Sequence, residues 1–494
     1  MPKATTEQYV LLPMRGTRAK GAAAAETREF LQSMSEGSRD LATAGGPRVR
    51  VQVIDSIGAD GAKLVEVPSE SVAAVRALQP GLRLVPVVYY TPATKAREAV
   101  LTVAPLARAA GSITLRVVSD KGGDPVPGAI VVAFTDFAAQ VGAEGVTDAQ
   151  GNVSLALGGS TASLERLYVY PTTAMWSLLK KRVTVSEGSE VKLHPIDLSY
   201  TDGLRHFYGK SPDNAGANVK VAVVDSGVDP HPDLAVDGGE NTVAGEDPKD
   251  FGSNGNGHGT HVAGIIAARG TPPAGIRGVA PGVTLRAYRV FGEGQAGASN
   301  FAIAKALDRA VADGCDLINM SLGGGPPDTV IQAAVEDARA AGSVCIIAAG
   351  NDGQPRVSFP ASDDMAVAVS ALGRKGTFPR DAAAIDDVRA PFGKDKKDFV
   401  AAFSNTGPEI DLTGPGVGII STYPGGYAEI SGTSMACPAV TGVAARIVAS
   451  MSSLGKKRDA ARSAAIVKAL AASAKDLGFT AVMEGNGLPE PPKK

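Results

Sequence analysis

The 494-residue chain carries 49 Lys and Arg against 51 Asp and Glu, a formal net charge of −2. That balance gives it no electrostatic case for nucleic acid or for an acidic membrane surface. The length exceeds one ordinary core and points to two to four domains at about 100–200 residues each. With 59 Gly, 44% hydrophobic and 5% aromatic residues, the composition fits a tightly packed, small-residue α/β protein and not a disordered one. Met1 to Gln8 contain no continuous apolar segment, and no run approaches the ~18 apolar residues of a spanning helix. Cytoplasmic synthesis is therefore the expectation, and export without a leader would leave no mark. Cys315, Cys345 and Cys437 lie in mostly apolar surroundings without CxxC spacing, which predicts buried free thiols and no zinc site.

In chain order, residues 1–92 predict a βαββαβ unit. Tyr9–Leu12 is a strand, Ala23–Met34 a helix and Val49–Ile54 a strand. Lys63–Val67 is a strand, Ser69 caps a helix Glu70–Leu78, and Leu82–Tyr90 is the last strand. That order is the ferredoxin-like arrangement. Residues 93–110 predict a linker. Residues 111–198 read as all-β, with a strand at Ile113–Val118, a turn and strand at Asp124–Phe134 and a strand pair around a turn at Gly145–Leu155. Its Pro-x-x-Gly and Thr-Asp-x-x-Gly spacings resemble the small carboxypeptidase-regulatory or transthyretin-like β-sandwich.

Residues 199–494 alternate strand and helix, as a doubly wound parallel sheet requires. The apolar run Val219–Val224 ends in Asp225, a carboxylate at the carboxyl end of a buried strand, where catalytic groups of open α/β sheets collect. Asn256-Gly257-His258-Gly259-Thr260-His261 then opens a helix. Ser431-Gly432-Thr433-Ser434 puts a hydroxyl at a second helix start, with backbone N–H groups and the helix dipole ready for an oxyanion.

Asp225-Ser226-Gly227-Val228-Asp229, His258-Gly259-Thr260-His261-Val262-Ala263-Gly264 and Gly432-Thr433-Ser434-Met435-Ala436-Cys437-Pro438 resemble the three active-site signatures of the subtilisin-like serine proteases. Ala348-Ala349-Gly350-Asn351 is similar to that family's oxyanion motif. The resemblance covers roughly residues 198–494. It implies a serine endopeptidase in which His258 takes the Ser434 proton, Asp225 orients His258, and Asn351 with the Ser434 N–H holds the oxyanion. It further implies a protein or peptide substrate bound in extended form along Ser321, Leu322 and Gly323. Ala348, Ala349, Gly350, Asp352 and Ser358 would line the primary pocket, and Ser299 would leave a farther subsite open.

By the same resemblance, residues 1–92 are similar to an inhibitory prodomain, the chain's own intramolecular partner. Its last strand would lead into the cleft, with self-cleavage near Tyr90 or in the following linker. No cofactor is required. Calcium is common in the family, and Asp233 lies where one ligand is found, but Arg269–Gly278 lacks the Asn-rich character of the strong site. His261, three residues after His258, has no third ligand nearby and reads as structural. Two further readings stay open at this stage. One is a silent binding protein on the same fold, which a missing triad residue would favour; the other is a peptide acyltransferase or macrocyclase, which would need water kept from the acyl-enzyme.

Overall fold

The computed structural model describes residues 6–21, 24–34, 36–41, 48–78, 81–103, 111–209, 211–452, 454 and 457–493. The N-terminal unit is a five-stranded antiparallel sheet in the order Gly37–Leu41, Val49–Ser56, Lys63–Pro68, Thr6–Pro13, Leu82–Pro86. The first of these edge strands was not expected, because Gly-Ser-Arg-Asp-Leu lacks the apolar alternation that marks a strand. The second helix starts later than expected, with a short 3₁₀ turn at Ser69–Ser71 ahead of Val72–Leu78. The sheet buries both faces because side chains alternate along each strand. Tyr9 and Leu11 pack with Leu31, Met34 and Val75 of the unit's own helices. Val10 and Leu12 instead join Ala306, Leu307 and Val335 of two catalytic-domain helices. Ion pairs fix the same interface, Arg18 to Asp308 at 2.6 Å and the largely buried Lys305 to Asp55 at 2.8 Å.

The expected strand Leu82–Tyr90 divides. It leaves the sheet at Pro86 and resumes as Tyr89–Pro92, paired with residues 298–299 and 322–323.

The β-region forms two sheets around one apolar core. One has the order Leu178–Ser186, Thr161–Tyr170, Ile130–Asp136, Val141–Val146, Thr102–Val103; the other has Asn152–Leu155, Ile113–Ser119, Ser189–Leu193. The expected strand pair at Gly145–Leu155 is therefore a crossover between sheets. Part of the expected linker, Thr102–Val103, is an edge strand parallel to Val141–Gly142, and residues 104–110 lie outside the described residues. Trp176 carries this region onto the catalytic core, stacking edge-on against Tyr200 beside Phe378 and Val417.

The catalytic sheet runs Gly239–Asn241, Thr284–Arg289, Lys220–Asp225, Leu317–Met320, Val344–Ala348, Val367–Arg374, Asp398–Val400, with Ile410–Pro415 also paired to Val367–Arg374. It is parallel except at Asp398–Val400. Its central strands are wholly buried and, apart from Asn319, apolar, as helices on both faces demand. Helices His258–Ala267 and Thr433–Ser450 cover one face, and Asn300–Ala312 and Thr329–Ala340 the other. Among the described residues no helix is long and apolar enough to cross a membrane.

Candidate active site

Asp225 ends its strand at the carboxyl edge of the sheet, and His258 opens the helix packed across it. Close approach of the two elements depends on Gly259, where a Cβ would stand 2.2 Å from the Gly227 oxygen and 3.2 Å from the Asp225 Cβ. His258 Nδ1 lies 2.7 Å from Asp225 Oδ1, which also accepts the Ser226 N–H. That hydrogen bond places the imidazole proton on Nδ1 and leaves Nε2 as the acceptor. Nε2 is buried without a partner.

Ser434 is the second residue of the helix Thr433–Ser450. Its Oγ donates to the Ser321 carbonyl at 3.0 Å and makes no bond to His258 Nε2 in this conformation. Pro438 has no N–H for the Ser434 carbonyl four residues earlier; the Ser321 hydroxyl supplies that donor at 3.0 Å. Asn351 is oriented by Thr433, whose N–H and hydroxyl both donate to Asn351 Oδ1, at 2.8 and 3.1 Å. The Asn351 Nδ2 is left buried and unpartnered.

A stretch of the chain itself runs through this site. Tyr89–Pro92 is hydrogen-bonded as an antiparallel strand between Ala298–Ser299 and Leu322–Gly323. The Ala93 N–H donates to the Ser321 carbonyl at 2.9 Å, the Ala93 carbonyl accepts the Ser434 N–H at 3.0 Å, and the Lys95 N–H donates to the Ser431 carbonyl at 3.1 Å. Gly432 makes room for this path, since a Cβ there would lie 2.9 Å from the Ala93 oxygen and 3.1 Å from the Thr94 Cα. Tyr90 is fully buried near Phe359, with its hydroxyl on the Pro326 carbonyl at 2.9 Å. The carbonyl at the Ser434 helix start is thus that of Ala93.

Residues 216–487 match the subtilase family. The chain belongs to that family. It is 40% identical over 239 residues to subtilisin DY of Bacillus licheniformis, a stretch covering 47% of this chain and 77% of that relative. It is 40% identical over 233 residues to M-protease of Shouchella clausii (strain KSM-K16), covering 47% and 54%. With subtilisin Savinase of Lederbergia lenta the identity is 39% over 233 residues, covering 47% and 77%. This subtilase is a subtilisin-like serine endopeptidase, a mixed α/β protein built on a largely parallel sheet.

The remaining predicted residues fall at and around the groove of the subtilase. Ala348 ends the strand Val344–Ala348, and Ala348, Ala349 and Gly350 are buried just ahead of Asn351. Ser358 accepts from Asn405 Nδ2 at 3.0 Å, and its N–H donates to the Ala349 carbonyl. Asp352 is an exposed charge on the rim, held by Asn405. Ser299 pairs with Tyr89 and caps the helix Asn300–Ala312 through the Ala302 N–H. His261 is wholly buried, with Nε2 facing the Ile419 and Ala428 carbonyls, and burial pushes its pKa down to about 3, so it stays neutral.

The Asp233 carboxylate accepts the Ile276 N–H and the Tyr427 hydroxyl, and among the described residues no group of three or more His, Cys, Asp or Glu could hold a metal. All three cysteines are buried and free, and burial raises the Cys315 and Cys345 thiols to about 12. Thr433 and Asn319 were missed as supporting residues. Asn319 donates to the Ser321 hydroxyl and accepts from Thr441, contacts between segments that no local pattern announces.

Proposed function

We propose that Asp225, His258 and Ser434 act as the catalytic triad, that Asn351 is the second oxyanion donor, and that residues 1–92 hold the protease latent until the Ala93–Thr94 bond is cut. The observation that carries this reading is the Ala93 carbonyl seated on the Ser434 N–H, and the Asn351 Nδ2, buried without a partner, is free to serve as a further donor.

Rotation of Ser434 about χ1 frees its hydroxyl from the Ser321 carbonyl and turns it toward His258 Nε2, the unused acceptor. His258 takes the proton as Oγ attacks the Ala93 carbonyl carbon, and Asp225 stabilises the imidazolium that forms. The oxyanion gains Asn351 Nδ2 as a second donor, which the planar ground-state carbonyl lacks; that difference is what lowers the barrier. The proton passes to the Thr94 nitrogen, which leaves, and water then attacks the acyl-enzyme. A cavity of about 340 Å³ beside His258 and Thr94 leaves room for that water. Backbone pairing to Leu322 and Gly323 accounts for binding of extended chains with little dependence on side chains.

Latency follows from occupancy. A substrate needs the edges that Tyr89–Pro92 already fills, and the N-terminal sheet is anchored to the catalytic helices. A fluorophosphonate probe tests the assignment: the processed chain labels, and Ser434→Ala does not. Absence of Ser434-dependent labelling after removal of residues 1–93 would refute it.

A further inference from the structure

Beyond the scissile bond the groove continues into a cavity of about 140 Å³, walled by both the catalytic domain and the β-sandwich. Lys95, two residues past Ala93, reaches into it and pairs with Asp387 at 2.8 Å. Asp387 is only 2% exposed, and its second oxygen, Oδ2, is buried without a partner. Glu429 forms the adjoining wall. Its carboxylate accepts from Ser177 of the sandwich at 2.8 Å and from Ser431 at 3.3 Å. Burial raises both carboxyls, Asp387 to about 6, and the charge of Lys95 works against that rise.

A carboxylate held out of water with one oxygen unsatisfied is costly unless a cation joins it. The chain continues along the sandwich, where the Glu98 N–H meets the Tyr170 hydroxyl at 3.2 Å and Arg97 pairs with Glu144.

We propose that the sandwich and the catalytic domain together form a primed-side subsite that selects substrates with a basic residue, lysine above all, two positions after the cleaved bond, Asp387 being the group that receives it. This rests on the reading of Ala93–Thr94 as the scissile bond. Lys95 is the pocket's resident occupant in the latent chain, and once it departs the same acidic pocket faces incoming substrate. Asp387 touches the substrate side chain and sets specificity; it takes no part in bond making. Tyr170 and Ser177 make the sandwich part of the substrate groove and not a mere spacer.

The test uses the processed enzyme and internally quenched peptides with the sequence of residues 88–98, bearing Lys, Gln or Glu at the position of Lys95. The proposal expects kcat/KM for Lys to exceed that for Gln by about tenfold or more, as a charge-assisted buried contact would give, with Glu worse still. In Asp387→Asn the ratio of kcat/KM for the Lys peptide to that for the Gln peptide should fall to under about threefold. The preference of the unmutated enzyme needs no variant to fold. Equal cleavage of the Lys and Gln peptides would overturn the subsite and leave the triad standing, as would a Lys preference that survives in Asp387→Asn. Failure to cut any of the peptides between the Ala and Thr positions would overturn the scissile-bond reading and the subsite with it.

Discussion

Tyr90→Ala, introduced into the uncleavable Ser434→Ala chain, should release residues 89–95 from the groove. The Tyr90 side chain is fully buried and its hydroxyl is bonded to the Pro326 carbonyl. Truncating a buried aromatic to alanine costs about 3–5 kcal/mol, and the backbone bonds of the segment remain available in both chains. At 1.4 kcal/mol per tenfold change, the open population of the segment should rise by roughly two to three and a half powers of ten. Hydrogen exchange reads this directly at the Ala93 and Lys95 amides, which donate to the Ser321 and Ser431 carbonyls. Their exchange should quicken by about 10²-fold or more while amides of the strand Thr6–Pro13 keep their protection. A change under about threefold at Ala93 and Lys95 would refute the reasoning that Tyr90 anchors the segment, because local opening would then be governed elsewhere.

Asn351→Ala should lower kcat of the processed enzyme by about 10²–10³-fold with little change in KM, since its amide is spent on the transition state; equal losses in binding and turnover would argue for a general disturbance of the groove. Thr433→Val, which removes the hydroxyl on Asn351 Oδ1, should give a smaller loss in kcat of the same kind. At the sandwich interface, burial lowers the His194 imidazole, but the hydrogen bond to Asp120 and the charges of Asp381 and Asp120 outweigh it, so the pKa is raised. The docking contribution of this raised group is full below its unfolded value of about 6.5 and is lost as pH rises through the folded value. His194→Gln should therefore flatten the fall in Tm on that rise; an unchanged slope would assign it to another group.

The candidate site was legible as far as its residues sit in short local motifs. Gly257-His258-Gly259 and Gly432-Thr433-Ser434 combine a reactive side chain with the glycines that let a neighbouring strand approach it. The catalytic sheet was equally legible, since Val219–Val224 and Val344–Ile347 are continuous apolar runs that only a doubly covered sheet buries. What the sequence hid are pairings made at long range. Lys95 and Asp387 stand 292 residues apart, and neither carries a local sign of the other. Gly145–Leu155 holds a real turn, yet turn chemistry does not say to which sheet the next strand will cross. Gly37–Leu41 is polar because an exposed edge strand has no second apolar layer to satisfy. Pro86 was visible within an apparent single strand, but its consequence, a segment released into the cleft, depends on groove edges that lie more than 200 residues downstream.

The most direct measurement is the intact mass and N-terminal sequence of the chain after incubation, for the unmutated protein and for Ser434→Ala. The account predicts a new N-terminus at Thr94 in the former and an uncut chain in the latter. A processed terminus elsewhere, or cutting at Thr94 that persists without the Ser434 hydroxyl, would contradict it.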